Sequence, residues 1–295
     1  MYGHARDLLT RPDETFRTTG ADLLAEVSGT NRQLIEITTT PTCSGLEVLL
    51  GTVVGPGFRA RVDDVAPTER DEHTLLYLLL DDLPGAALVS GYALLRTDAV
   101  SPGRNDEYLA AAADMCAGWA SDGTMIAIIR RHNQNPTPIG PPAPGLGRDD
   151  DPSAFHDLPE LPPGSMRRLR RIDVLAPDTA GTHPVDAFFR DTHVDEDGLE
   201  TVVHEYAVVA SGDGATRTLV DITATADVLP WVECPAAVGS ATRLAGHTLG
   251  DLRPHVRSTF VGTTTCTHLN DVLRGLSDVG VLLDQLPDGG APPRA

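Results

Sequence analysis

The sequence predicts an α+β protein made of two related halves, each an antiparallel β-meander of about four strands followed by helices. Three observations support this fold class. Strand-like segments precede helix-like segments instead of alternating with them, two stretches of domain length match each other in order, and a proline-rich segment separates the two stretches. We therefore expect residues 1–100 and 166–286 to be two α+β repeats joined by residues 101–165.

The first repeat begins with segments that recur in the second. "RDLLTRPDETF" (Arg6–Phe16) matches "RDTHVDEDGLE" (Arg190–Glu200), and "RQLIEITTT" (Arg32–Thr40) matches "RTLVDITAT" (Arg217–Thr225). Because further matches follow in the same order into the helix-like segments, we predict an internal duplication. The alternative is that two α+β segments resemble each other through shared strand and helix composition.

The joining region contains one helix and a long irregular segment. "DEYLAAAADMCAGWA" indicates a helix that ends near Gly118. Residues 135–165 carry so many prolines that regular structure is excluded over most of their length. We expect this connector to be a strap on the surface, or else a lid or a ligand for a partner.

The second repeat shows the plan most clearly. Alternating apolar and polar residues predict strands, and glycine-containing turns separate them. Helix-like segments follow at Pro235–Gly246 and from His268 onward. Residues 287–295 are expected to form a disordered tail. The predicted strands are Arg168–Ala176, Arg190–Val194, Glu200–Ala210 and Arg217–Val228.

The charge balance of the 295-residue chain narrows the classes of function. The net charge of −19 repels nucleic acid and anionic membrane surfaces, so neither is expected as a partner. Every basic residue is an arginine, which excludes lysine Schiff-base chemistry and suggests a bacterial source. A small-molecule ligand remains as the expected partner, no cofactor is expected, and the oligomeric state is left open.

The cysteines and apolar segments predict the compartment. The four cysteines, Cys43, Cys116, Cys234 and Cys266, are far apart and form no C-x-x-C pair. The N-terminus shows no secretory leader, and no apolar run of about 18 residues is apparent. We therefore expect a cytoplasmic protein with reduced thiols.

Cysteine and histidine residues concentrate in the second repeat, which is where we predict the functional site. Alignment of the repeats places His204, Cys266 and His268 opposite Gly20, Glu72 and Thr74. His204 lies on an apolar strand face, so it is either a catalytic base or a hydrogen-bonded histidine of the core.

Cys266 and His268 stand at the start of a predicted helix. Thr267 is the predicted N-cap, with Asn270 in the capping-box position. The helix dipole favours a thiolate at Cys266, and a low-pKa cysteine near a histidine is a common nucleophile arrangement. Cys266 is therefore a candidate nucleophile with His268 or His204 as its base, and a buried thiol beside a helix cap is the alternative.

Other residues are candidate substrate contacts or ligands. The candidate substrate-binding residues are Asp191, Glu205, Asp221, Thr267 and Asn270. No metal site is predicted, because the short ligand spacings typical of zinc do not occur, and the alternative ligand set is Cys234, Cys266, His268 and His204. The run "RRLRR" (Arg167–Arg171) either binds an anionic ligand or sends its arginines outward from a strand.

The second repeat resembles a known family. "RRIDV", "HEYAVVA", "LPWVECPAA", "RLAG" and "TCTHLNDVLRGL" occur in the order found in the uncharacterised bacterial family called domain of unknown function 2889. The resemblance covers Met166–Val279, while "HARDLL", "LLLDDLPGA" and "CAGW" resemble the longer actinobacterial members. In those members an arginine-rich strand also precedes "HARDLL", so we expect the N-terminus of this chain to be truncated or misassigned. The resemblance implies no chemistry, but its family-pattern positions are His204, Cys234, Cys266, Thr267 and His268.

These observations predict two possible functions. The first is an enzyme without an organic cofactor that acts on a small acyl-type metabolite through acid–base or thiol chemistry in the second repeat. The second is a non-catalytic ligand-binding or assembly protein, in which the cysteines and histidines have structural roles.

Overall fold

The computed structural model describes residues 1–11, 14–96 and 106–286, and it confirms the predicted α+β class. The chain divides into two compact units. The N-terminal unit contains Met1–Gly91 and the described residues after Asp284, and the C-terminal unit is Tyr92–Asp284. The predicted disordered tail, residues 287–295, lies outside the described residues.

The N-terminal unit contains an antiparallel sheet with the strand order β1-β2-β3. The strands are β1 (Tyr2–Thr10), β2 (Thr15–Val27) and β3 (Leu34–Thr40). A 3₁₀ helix (Leu46–Leu49) and the helices α1 (Phe58–Val65), α2 (Pro67–Asp71) and α3 (Leu75–Arg96) follow. Their apolar faces bury Leu34, Phe58 and Tyr77 in one core, as expected when helices cover one face of a sheet.

Helix α3 is long and apolar enough to cross a membrane, and no other helix in the described ranges is. This differs from the sequence expectation, because Asp81 and Asp82 interrupt the apolar run without ending the helix. Within the N-terminal unit Leu76 and Leu80 are buried, and Asp81 pairs with the guanidinium of Arg59. Of its most apolar 18-residue stretch, 44% is buried inside the protein.

The C-terminal unit contains an antiparallel sheet with the strand order β4-β5-β6-β7. Its meander has one strand more than the N-terminal meander, because the arginine-rich β4 precedes the hairpin formed by β5 and β6. The strands are β4 (Met166–Val174), β5 (Thr182–Val194), β6 (Glu200–Asp213) and β7 (Thr218–Val228). The helices are α4 (Asp106–Ala112), α5 (Thr124–His132), α6 (Leu252–Thr259), α7 (Thr267–Gly275) and α8 (Val279–Gln285), with 3₁₀ helices at Ala117–Trp119, Cys234–Leu244, Leu249–Asp251 and Leu276–Asp278.

Two features of this unit differ from the sequence prediction. Helix α4 ends at Ala112 and not near Gly118, because Asp114 adopts a left-handed backbone conformation with φ of 63° that stops the helix. Helix α5, which ends with the left-handed residue Asn133, was not predicted.

The proline-rich connector acts as a strap along β6. The amide of Val202 donates to the carbonyl of Pro141 at 2.9 Å, and the amide of Ala143 donates to the carbonyl of Glu200 at 2.8 Å. Strand β7 pairs with β6 only from Glu205 onward, so the connector pairs with the part of β6 that β7 leaves open. The sequence left three alternatives for the connector, and residues 141–143 lie along β6 as expected for a strap on the surface.

The two sheets share a β-bulge at matching positions. The register between β1 and β2 shifts after Asp7, and the register between β5 and β6 shifts after Asp191. Asp7 pairs with Thr19, and Asp191 pairs with His204. Thr19 thus lies across from Asp7 as His204 lies across from Asp191, whereas the alignment of the two sequence stretches sets His204 against Gly20.

The segments before β3 and β7 also have matching backbone geometry. Arg32 and Arg217 both adopt positive φ, at 58° and 55°, which is rare for a residue other than glycine. The carbonyl of Arg32 accepts from the amide of Val54, and that of Arg217 from the amide of Leu249, at 2.8 Å in both units. Each sheet is thus joined to the following helical segment in the same way.

Candidate functional site

The structure brings His204, His268 and Asp191 together inside the C-terminal unit, and we call these three residues the histidine centre. Asp191 on β5 lies directly across from His204 on β6, while His268 stands in the first turn of α7. The two imidazole rings stack with their centroids 3.6 Å apart and their planes at 19°. Asp191 Oδ2 lies 3.8 Å from His204 Nδ1 and 3.9 Å from His268 Nε2.

Arg168 holds the carboxylate of this centre in position. Its Nε and Nη2 donate to the two oxygens of Asp191 at 2.8 and 3.0 Å, and its Nη1 donates to Asp271 Oδ2 at 2.8 Å. Arg274 donates to the other oxygen of Asp271 at 2.5 Å, and Arg170 donates to the Asp271 carbonyl at 2.6 Å. Arg168 and Arg170 of the "RRLRR" run therefore bind groups of the protein itself, which is neither of the two predicted roles.

Burial keeps both imidazoles neutral. The pKa of His204 is lowered well below its usual value by burial and then by His268, and burial lowers the pKa of His268 to about 3 with a further contribution from Arg168. His204 is only 7% exposed, and its Nδ1 has no hydrogen-bond partner among the residues that the structure describes. An unpaired buried nitrogen is costly in a native structure, so this atom requires an explanation.

The N-cap of α7 is Cys266 and not the predicted Thr267. The amide of Asn270 donates to the carbonyl of Cys266 at 2.8 Å, which makes Cys266 the last residue with extended backbone before the helix. Asn270 does not form a capping box, because its side-chain amide donates to the carbonyl of Phe260 at 2.9 Å. A local motif predicted the helix start within one residue, but the tertiary contact decided what Asn270 binds.

Cys266 is a buried neutral thiol. Its exposure is 4%, and burial raises the pKa of its thiol, which is opposite to the lowering predicted from the helix dipole. The hydroxyl of Tyr206 donates to Cys266 Sγ at 3.1 Å, and that sulfur lies 3.9 Å from His268 Nδ1. The same nitrogen lies 3.4 Å from Thr267 Oγ1. Cys266 and Thr267 therefore surround His268 as neutral neighbours.

The remaining predicted contacts have separate environments. Glu205 forms a buried ion pair with Arg190, whose guanidinium also donates to the carbonyl of Pro144 in the strap. Asp221 is exposed on β7, where it pairs with Ser211. Because neighbouring strand residues point to opposite faces, Glu205 cannot share the face of His204.

The alternative metal ligand set of the sequence is not assembled as proposed. Among residues 1–11, 14–96 and 106–286, the candidate ligand atoms that lie within 4.8 Å of one another belong to Asp191, His204 and His268. This group does not include Cys234 or Cys266, although Cys266 Sγ lies 3.9 Å from the other ring nitrogen of His268. The pairing of β5 with β6 could have identified Asp191 as the carboxylate next to His204, because the register at the bulge sets these two residues opposite each other.

The fold and the site together define an α+β domain with a buried pair of stacked histidines close to one carboxylate. Residues 166–281 match the family described as "Protein of unknown function (DUF2889)". The match confirms the resemblance predicted for this segment, which runs from β4 into α8 and contains all three residues of the histidine centre. No curated protein and no solved structure shows significant similarity to the chain.

Proposed function

We propose that the C-terminal unit is an enzyme and that its reaction takes place at the histidine centre. The substrate is a small acyl-type metabolite, and the chemistry is acid–base and not thiol chemistry. One observation carries this proposal: two neutral imidazoles face the same carboxylate oxygen in the protein interior, and one of their nitrogens has no partner among the described residues.

Three guanidinium groups lie around the centre and favour an anionic or strongly polar substrate. Arg168 donates to the carboxylates of Asp191 and Asp271, Arg274 donates to the carboxylate of Asp271, and Arg170 donates to the Asp271 carbonyl. Approach of a carboxylate or a polarised acyl oxygen would raise the proton affinity of the imidazoles, because a nearby negative charge favours the imidazolium form.

The thiol route is the less favourable one. A nucleophilic cysteine acts as a thiolate, and burial of Cys266 raises the pKa of its thiol. The hydrogen bond that Tyr206 donates to the sulfur lowers this pKa, but burial has the larger effect. We therefore give Cys266 the role of a polar wall behind His268.

We also infer that the two units arose by duplication and that Thr19 and Asp7 take the strand positions of His204 and Asp191 in the N-terminal unit. The matching bulges and the matching positive-φ arginines support this inference, because such backbone features rarely recur by chance. In the N-terminal sheet Thr19 donates to Asp7 at 2.9 Å, in the strand positions that His204 and Asp191 take in the C-terminal sheet. A threonine hydroxyl cannot serve as a base near neutral pH.

A reducing compartment fits the thiols. All four cysteines are free, and three of them are buried. We infer from this that the protein works in the cytoplasm, where thiols stay reduced.

The test of the enzymatic proposal compares three proteins. Wild type, His268→Gln and the control His247→Gln are incubated with short-chain acyl-CoA thioesters and their free acids, and conversion is followed by mass spectrometry. The control is matched because His247 also faces another imidazole, that of His255 at 4.1 Å, away from the centre. We expect conversion of at least one compound by wild type and control, with the rate in His268→Gln lowered by about 100-fold or more. Equal rates in all three proteins, or no conversion by wild type, would contradict the proposal.

A second candidate function is a non-catalytic binding or assembly protein. The observation in its favour is the depth of the centre, since His204 is 7% exposed and the His268 side chain 14%. In that case His268→Ala would lower the unfolding free energy by several kcal/mol, as expected for a packed core residue, and no compound would be converted.

A further inference from the structure

We propose that the histidine centre binds one divalent first-row transition metal ion, with Asp191, His204 and His268 as its protein ligands. This inference rests on the proposed function of the same site and names the cofactor that the reaction uses. Two imidazole nitrogens and one carboxylate oxygen form a ligand set suited to zinc, iron(II) or cobalt(II).

The three candidate ligand atoms lie close together. Asp191 Oδ2 lies 3.8 and 3.9 Å from the two imidazole nitrogens, and all three ligand atoms lie within 4.8 Å of one another. Ligands bound to zinc at about 2.0–2.2 Å in tetrahedral geometry are separated by roughly 3.4 Å. The two distances to Asp191 Oδ2 exceed this separation by about half an ångström, and one stacked imidazole must tilt away from the other before both can bind the same ion.

A bound ion explains the unpaired nitrogen of His204. Its Nδ1 is buried, lies beyond hydrogen-bonding distance of Asp191, and has no partner among the described residues. A neutral imidazole whose proton is on the other nitrogen presents a lone pair there. Coordination uses this lone pair, which the interior of the protein otherwise leaves unsatisfied.

The groups behind the ligands orient them for a metal. Thr267 Oγ1 can accept the proton of His268 Nδ1 at 3.4 Å, which leaves the lone pair on Nε2 directed toward Asp191. Arg168 donates once to each oxygen of Asp191, so Oδ2 keeps a further lone pair for the ion. Such outer partners are characteristic of histidine–carboxylate metal sites.

Three protein ligands leave a coordination position for the substrate. In catalytic zinc sites this position holds water or a substrate oxygen, and the ion polarises that oxygen or lowers the pKa of the water. With an ion bound, the two imidazoles would act as ligands in place of acid–base groups, and the ion would supply the activation of the acyl-type substrate. Its positive charge would also favour an anionic substrate oxygen.

The experiment measures metal binding by the full chain without a histidine tag. Protein treated with EDTA and freed of it is titrated with Zn²⁺ by calorimetry, and with Co²⁺ by visible absorption. We expect one ion per chain in wild type and in His247→Gln. His204→Gln and His268→Gln should each bind at least about 100-fold more weakly, and Thr267→Val about 10-fold more weakly.

Two controls separate a binding defect from a folding defect. Far-UV circular dichroism in EDTA must be the same for the glutamine variants as for wild type, and the measurement with Thr267→Val tests the site without removing a ligand. Asp191 is not varied, because its loss also breaks the ion pair with Arg168.

The outcomes distinguish this inference from the proposed function. Absence of stoichiometric binding by wild type, or unchanged binding in both His204→Gln and His268→Gln, would overturn the metal site. Conversion that depends on His268 but persists in EDTA would overturn the metal site alone. Stoichiometric Zn²⁺ binding without conversion of any compound supports the metal site and contradicts the enzymatic proposal.

Discussion

Arg168→Met is the substitution whose effect follows most directly from the structure. Its guanidinium lies between two buried carboxylates, and the side-chain exposures are 7% for Arg168, 0% for Asp191 and 5% for Asp271. Methionine keeps an unbranched side chain of similar length but removes the charge and every hydrogen-bond donor. The substitution therefore leaves a buried carboxylate without its cation.

The expected loss can be assigned mainly to one residue. Asp271 keeps its contact with Arg274 at 2.5 Å, whereas Asp191 loses the donors at 2.8 and 3.0 Å. Removing one member of a buried ion pair costs about 3–5 kcal/mol of unfolding free energy. We expect a loss in this range for Arg168→Met.

Urea unfolding monitored by tryptophan fluorescence measures this loss in the C-terminal unit, which contains Arg168. The two tryptophans, Trp119 and Trp231, both belong to the C-terminal unit, so the signal reports that unit without a contribution from the other. A change in the transition midpoint with an unchanged slope would show that stability and not compactness has changed.

A matched control lies on the same strand. Arg171 also pairs with two carboxylates, but Asp173 and Asp186 are 30% and 43% exposed and stay in contact with water, so Arg171→Met should cost less than Arg168→Met. Addition of Asp191→Asn to Arg168→Met should restore part of the loss, because it removes the uncompensated charge. Equal losses for the two arginines, or a double variant less stable than Arg168→Met, would refute the reasoning.

Three further outcomes follow from burial and close contact. Burial lowers the pKa of His268 to about 3 in the folded protein, below its value in the unfolded chain, so the neutral imidazole stabilises the fold at pH 7 and this contribution is lost as the pH falls. In EDTA, the free energy of unfolding of wild type should be about 2 kcal/mol lower at pH 5 than at pH 7. An equal decrease in His268→Gln would exclude His268 as the cause. Iodoacetamide at neutral pH should label the half-exposed Cys43 before the buried Cys266, as peptide mapping would report, and faster labelling of Cys266 would favour the nucleophile hypothesis. Gly140→Ala should lower the free energy of unfolding in urea by about 1–3 kcal/mol, because the new Cβ would lie 1.8 Å from a β6 carbonyl oxygen. Gly145→Ala, which has open space around the new Cβ, should lower it by less than about 0.5 kcal/mol. Similar losses for the two variants would contradict the packing of the strap against β6.

Local patterns were sufficient to predict three of the four strands of the C-terminal sheet, whereas the predicted strand Arg190–Val194 covers only the last five residues of β5 (Thr182–Val194). The prediction of Glu200–Ala210 and Arg217–Val228 agrees with β6 and β7 within three residues at each end, because alternation and turn residues act over short distances. Helix α5 was missed, since it follows a short irregular stretch and lacks a side-chain N-cap. The early end of α4 depends on one left-handed residue, Asp114, which composition alone does not indicate.

The candidate site was predictable in part. The comparison of the repeats pointed to His204 and His268, and both lie in the histidine centre. It did not indicate that Arg168 holds Asp191, because arginines on a strand give the same pattern whether they face solvent or a buried carboxylate. Asp191 was one of several candidate carboxylates, and only the strand register distinguishes it from Asp221.

By itself the sequence determined the fold class, the order of the elements and the residue types available for chemistry, because these depend on periodicity and composition. Tertiary structure alone decided which groups meet, since the contact between β6 and α7 joins parts of the chain that are distant in sequence. It also decided their protonation: the helix start at Cys266 favours a thiolate locally, but burial of that thiol has the larger effect and raises its pKa. The same burial keeps the imidazoles of His204 and His268 neutral.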